Sequence, residues 1–178
     1  MIKAKNELKK SIDIDAIRSA AKHLDDGAVT VGYQADRKKI IAMLNNALAT
    51  ELVCVLRYKR HYYTAIGLQN GPIKAEFLQH AMEEQGHANL LAERIVQLNG
   101  KPDFNPATLV NRSHAEYDDS ASIKDMIKAN LIAERVAIEA YRQMIEQIGE
   151  KDPTTSHMLV GIMAKEEEHA DDMRDLMA

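Results

Sequence analysis

The chain is poor in everything that breaks or staples a backbone. Of its 178 residues only eight are Gly and four are Pro, aromatics make up 4%, and Trp is absent. Gly and Pro punctuate structure, so their scarcity predicts long uninterrupted elements. It excludes sandwiches and barrels, which need frequent turns and strands rich in β-branched and aromatic residues. The single cysteine, Cys54, permits neither an internal disulfide nor a four-thiolate zinc or iron–sulfur centre. No run of 18 apolar residues occurs, so no membrane span is expected. The start MIKAKNELKK has charge but no apolar stretch behind it, which predicts no secretory signal and a cytoplasmic protein. A net charge of −4 argues weakly against a dedicated nucleic-acid surface.

The few breaks that exist divide the chain. Pro72, Pro102, Pro106 and Pro153, with the glycines near them, separate four long helical segments. The first runs over about 36–66, and the second starts at Pro72 and stops before NGKPDFNP. The third covers about 122–148, with Ser120 or Ser122 as its cap, and the fourth starts at Asp152 and Pro153. Short links join first to second and third to fourth, which makes each pair an antiparallel hairpin. The link over about 100–121 is long enough to run the length of a bundle and begin again at the other end. Two hairpins joined by one long crossover is a ferritin-like, all-α four-helix bundle over residues 36–178. Residues 1–35 read as a separate extension with a short amphipathic helix (Ile14, Ile17, Ala21, Leu24). Its lysines Lys3, Lys5, Lys9 and Lys10 are either a basic arm for DNA or a solvated terminus.

Each long segment carries a heptad stripe, and each stripe holds acid where an apolar residue belongs. The stripes read Leu44, Leu48, Glu51, Val55, Tyr58, Tyr62; Phe77, His80, Glu84, His87, Leu91; Ile127, Leu131, Glu134, Ile138, Tyr141, Ile145, Ile148; and Leu159, Ile162, Glu166, His169, Met173, Leu176. This period places Glu51, Glu84, Glu134 and Glu166 inside the bundle. Ionised carboxylates are not buried without compensation, and four together repel one another. No Lys or Arg lies on the stripes near them, so metal ions are the expected compensation. Four carboxylates with the neutral imidazoles His87 and His169 balance two divalent cations. Each Glu-x-x-His pair spans one turn, so it can grip one metal while its Glu reaches the other. Oxygen-rich coordination favours iron, or manganese with its similar ligands, over zinc. The spacing repeats, 33 residues from Glu51 to Glu84 and 32 from Glu134 to Glu166, and Tyr58 and Tyr141 each stand seven residues past a lone Glu. Glu83 and the run Glu166, Glu167, Glu168 leave the register open at one position. Stripe and repeat favour Glu84 and Glu166, with the other acids on a solvated face. Among the remaining histidines only His80, one turn before Glu84, is a candidate to support a ligand.

At these residues the chain resembles the bacterioferritin branch of the ferritin-like superfamily, over about 36–177. The resemblance implies that Glu84 and Glu166 bridge two irons, Glu51 and Glu134 are terminal ligands, and His87 and His169 bind one iron each. It matches Tyr58 to a tyrosine kept beside the diiron centre; Tyr58, and with it Tyr141, is a candidate to bond a ligand carboxylate and supply an electron, with a half-buried packing role as the alternative. It implies a ferroxidase that oxidises Fe(II) with O2 or H2O2 and stores the product in a hollow homo-oligomeric shell. Bacterioferritins bind haem through a methionine just after the second helix's glutamate; here Gln85 stands there, so no haem is expected. Only nine residues follow His169, too few for the family's fifth helix, which favours a twelve-subunit shell like that of Dps-like ferritins over one of 24. A rubrerythrin-like diiron peroxidase without storage and a Dps-like DNA-protecting protein are the alternatives.

Overall fold

The computed structural model describes residues 12–67 and 70–177. Lys3, Lys5, Lys9 and Lys10 lie outside them, so the basic arm has no structural counterpart to assess. Six helices follow in order: α1 (Ile14–Ala20), α2 (Arg37–Thr64), α3 (Gly71–Gln97), α4 (Leu109–Arg112), α5 (Ile123–Ile148) and α6 (Pro153–Asp175). Among the described residues there is no strand. Three of the long helices begin at a side-chain cap, and α3 begins with Pro72 in its first turn. The Asp36, Ser122 and Asp152 side chains accept from the backbone N–H groups of Lys39, Asp125 and Thr155, satisfying donors that the first turn leaves free. They end at left-handed residues, Asn99 after α3 and Gly149 after α5. Gly100 is sterically required: a Cβ there would stand 2.9 Å from side-chain atoms of Ile41 and Ile95.

Helix α2 packs along α3 and α5 along α6, and the hairpins meet through α2 against α5 and α3 against α6. Arg94, near the end of α3, pins the hairpins together by donating to Thr155 Oγ1 and Asp152 Oδ1 at the start of α6, both at 2.8 Å. The crossover climbs α2 step by step. Asp103 N donates to Asn45, His114 N to Thr50, and Arg57 to the Glu116 carbonyl, while Asp118 faces His61. One turn of it, α4, was not expected from the sequence. This covering buries a second face of α2 through Ala49, Thr50, Val53, Cys54, Arg57 and His61. Double burial explains why α2, by length and composition apolar enough to cross a membrane, sits in a bundle core with Glu51 at its middle.

Two expectations need correction. Helix α1 exists, but none of its residues is buried, and Ile14 and Ile17 are half exposed. The segment after it does the packing instead, with Val29, Tyr33 and Ala35 against the core and the Tyr33 hydroxyl donating to Asp152 at 2.7 Å. On α5 the buried face is turned from the predicted stripe. Asn130, Ala133, Ala137 and Met144 are buried, whereas Leu131, Ile138 and Ile145 are half-buried. Small residues let α5 approach its neighbours closely, and the larger aliphatics flank that contact. The apolar core has two main clusters, one around Leu44, Leu91, Met144 and Ile162, the other around Phe77, Met126 and Met173, with two small ones under the crossover. The predicted acids lie between the two main clusters.

Candidate metal centre

One residue or pair from each long helix meets in that gap. Glu51 comes from α2, Glu84 and His87 from α3, Glu134 from α5, and Glu166 and His169 from α6; all six are buried. Their donor atoms form two groups, each compact enough for one cation. One is Glu51, Glu84, His87 and Glu166; the other is Glu84, Glu134, Glu166 and His169. Glu84 and Glu166 belong to both. The Nδ1 of His87 lies 2.8 Å from Glu166, 3.2 Å from Glu84 and 3.4 Å from Glu51. That of His169 lies 3.4 Å from Glu166 and 3.5 Å from Glu84. All six residues predicted as ligands are therefore brought together, with both imidazoles presenting Nδ1 inward.

The outer carboxylates are held crosswise. Tyr58 on α2 donates its hydroxyl hydrogen to Glu134 on α5, and Tyr141 on α5 donates to Glu51 on α2. Each tyrosine thus fixes the lone glutamate of the opposite hairpin.

Two neighbours escaped or contradicted the sequence reading, and a third agrees with it. Arg57 is fully buried, with Nε donating to Asn130 at 2.9 Å and Nη2 3.9 Å from Glu134. A fixed cation does accompany the acids, contrary to the expectation drawn from the stripes, because it approaches from the face that the crossover covers. The small, mixed spacing Thr50, Cys54, Arg57, His61 was its only signal. Glu83 is only partly solvated: its Oε2 accepts from His169 Nε2 at 2.6 Å, which fixes that ring with Nδ1 inward. The expectation for His80 is met. Its ring is buried, stacks on His169 with centroids 3.9 Å apart, and places Nδ1 3.1 Å from the Tyr58 hydroxyl.

Electrostatics define a proton-loaded cluster. Burial and the charge of Glu84 push the Glu51 carboxyl up to about 8. Burial, with Glu84 and Glu166 nearby, raises Glu134 well above the carboxylate range. Burial and Glu166 push Glu84 the same way, but the close approach of His169, His87 and Glu51 outweighs them and holds it below its ordinary value. Burial opposes charge on His87 and His169, yet their carboxylate partners, Glu166 first, push them up to about 12 and about 11. Even so, six buried polar atoms make no hydrogen bond: Glu51 Oε2, Glu84 Oε1, Glu134 Oε2, both Glu166 oxygens and His169 Nδ1. Each such orphan costs about 1–3 kcal/mol. They are the oxygen and imidazole donors that two divalent cations need, so the residues present fit a dimetal centre.

Comparison with known proteins agrees with this geometry. The model of the ferritin-like domain matches residues 41–178. The bacterioferritin of Desulfovibrio desulfuricans is 28% identical over 140 residues, covering 78% of this chain and 74% of its own. Its solved structure, with a diiron site in different catalytic states, superposes with a TM-score of 0.71 at 25% identity over 79% of each chain. A dodecameric thioferritin from Bacteroides fragilis, a bacterioferritin-related protein, superposes with a TM-score of 0.75 at 32% identity, covering 79% of this chain and 84% of the other. The nutrient stress-induced DNA-binding protein of a Synechococcus is 30% identical over 132 residues, 71% of this chain and 74% of its own.

Proposed function

The chain belongs to the ferritin-like family, and we propose that within it this protein is a non-haem diiron ferroxidase that oxidises Fe(II) with O2 or H2O2 and stores or detoxifies the product in a homo-oligomeric shell. The observation that carries this reading is the pair of four-residue ligand groups sharing Glu84 and Glu166. In it Glu84 and Glu166 would bridge two ions, Glu51 and Glu134 would each bind one, and His87 and His169 would bind one each. Iron bound there supplies one-electron chemistry: each Fe(II) gives up one electron and the oxidant takes the pair.

The chain's own residues prepare that step. Tyr58 and Tyr141 hold the outer carboxylates, and Tyr58 is the candidate to supply a further electron. Glu83 fixes the His169 tautomer, and Arg57 offsets part of the negative charge without entering the ligand set. The imidazoles and outer glutamates give up their protons as cations enter, so uptake exchanges protons for metal. Exclusion of water keeps the carboxylates fixed and their field strong.

Twelve chains of 19.9 kDa would make a shell of roughly 240 kDa, and the dodecameric relative from Bacteroides fragilis supports that number. Size-exclusion chromatography after aerobic Fe(II) loading tests the storage half of the proposal. A particle of that mass retaining many more than two irons per chain supports it. A dimer retaining two makes the protein a diiron oxidase or peroxidase without storage.

A further inference from the structure

Beside the six-residue cluster, on its α3–α6 side, stands a second group that the ferroxidase reading does not use. Glu76 and His80 lie one turn apart on α3, and Asp172 lies across from them on α6, three residues past His169. His80 Nε2 is 3.2 Å from Glu76 Oε1 and 3.4 Å from Asp172 Oδ2. The ring is completely buried, yet this nitrogen hydrogen-bonds to neither carboxylate. The two acids are partly open to solvent, with side chains 32% and 43% exposed, so the group has a wet side and a dry one.

Hydrogen-bond accounting fixes what Nε2 presents. Tyr58 has one hydroxyl hydrogen and donates it to Glu134. The contact from His80 Nδ1 to the same hydroxyl therefore needs its hydrogen on Nδ1. A protonated Nε2 would donate to one of the two carboxylates and this nitrogen donates to neither, so we read the ring as neutral, with the Nε2 lone pair facing two carboxylate oxygens. Three electron-rich atoms facing one another call for a cation among them. One oxygen from each acid and one imidazole nitrogen lie within 4.8 Å of one another, as ligands of a single ion must.

We propose that Glu76, His80 and Asp172 form a third divalent-cation site, one that takes a first-row ion such as Fe(II), Mn(II) or Co(II) from the solvent side and holds it beside the dimetal centre. One imidazole and two carboxylates, with water completing the shell, suit such ions. His80 links the two places. Its Nε2 binds the third ion, its ring stacks on His169, and its Nδ1–H supports the tyrosine that holds Glu134. The staging role rests on the diiron reading; the binding site itself does not.

Co(II) tests this, because it does not mineralise under O2 as Fe(II) does. Equilibrium dialysis of the assembled, metal-stripped protein counts the ions bound per chain. The wild type is expected to hold three, Glu76→Gln with Asp172→Asn two, and Glu84→Ala with Glu166→Ala one. Circular dichroism shows that each variant is folded, and the partly exposed, isosteric changes at Glu76 and Asp172 leave the core untouched. Equal stoichiometry in the wild type and Glu76→Gln/Asp172→Asn overturns the third site and leaves the dimetal centre standing. Unchanged stoichiometry in Glu84→Ala/Glu166→Ala overturns the dimetal centre and leaves the third site standing.

Discussion

Tyr58 on the first hairpin donates its hydroxyl hydrogen to Glu134 on the second, and nothing else on the second hairpin holds that carboxylate by a hydrogen bond. Hydrogen bonds to charged groups are worth about 1.5–3 kcal/mol, roughly 10–100-fold in an equilibrium or a rate. Tyr58→Phe is therefore expected to slow Fe(II) oxidation by about tenfold or more while the number of metals bound per chain stays the same. Stopped-flow absorbance together with metal analysis measures both. A rate equal to wild type would reduce Tyr58 to a packing residue.

The mirror contact, Tyr141 to Glu51, joins the same two helices in the opposite sense. In metal-free protein both tyrosines bridge the hairpins through buried acids. Tyr58→Phe/Tyr141→Phe is expected to lower the unfolding midpoint of the metal-free form by more than either single change, since three buried groups, Glu134, His80 Nδ1 and Glu51, then lose partners. Thermal unfolding of the three variants checks this, and a double variant no less stable than the singles would contradict it.

The stability of the metal-free protein has a sign fixed by the cluster. Glu51, raised to about 8 by burial and Glu84, and Glu134, raised by burial, bind protons more tightly folded than unfolded. So do His87 and His169, which their carboxylate partners push up to about 12 and about 11 against burial. Their stabilisation is full below the unfolded values and drains away as pH rises through the folded ones. The melting temperature of the stripped protein is thus expected to fall between about pH 7 and about pH 9, while the gain on adding metal grows over the same range. Calorimetry with and without Co(II) measures it. A melting temperature that rises with pH would refute the proton-loaded cluster.

Arg57 is the residue whose removal should hurt most outside the ligand set. Its guanidinium donates to Asn130, the Glu116 carbonyl and Cys54, and it is the cation beside Glu134. Breaking a buried charge network typically costs about 3–5 kcal/mol, so Arg57→Met is expected to destabilise the protein by that order. Denaturant unfolding of the metal-free form checks it, and a change under about 1 kcal/mol would mean that the guanidinium is structurally idle.

The ligand set was legible in the sequence because period and repetition coincide there. Two Glu-x-x-His pairs and two lone glutamates, each in phase with an apolar stripe, leave little freedom in placing Glu51, Glu84, Glu134 and Glu166. The starts of three long helices, at Asp36, near Ser122 and at Asp152, were legible for the same local reason, although Ser120 and Ser122 stood level as the cap of α5. What a stripe cannot show is a second buried face. Arg57 and Cys54 are covered by the crossover, a long-range contact that no helical period encodes. Glu83 reaches His169 across two helices, so its neighbours in sequence say nothing of it. The phase of α5 shifted because small Ala133 and Ala137 pack closer than the larger aliphatics beside them. The stripe on α1 found no partner among the described residues.

The most direct test of the dimetal account is rapid Fe(II) oxidation in Glu84→Ala/Glu166→Ala, the two carboxylates that both ligand groups share. The account predicts a fast phase consuming two Fe(II) per chain in the wild type and none in the double variant, whose fold circular dichroism checks. An undiminished fast phase in the folded double variant would contradict it.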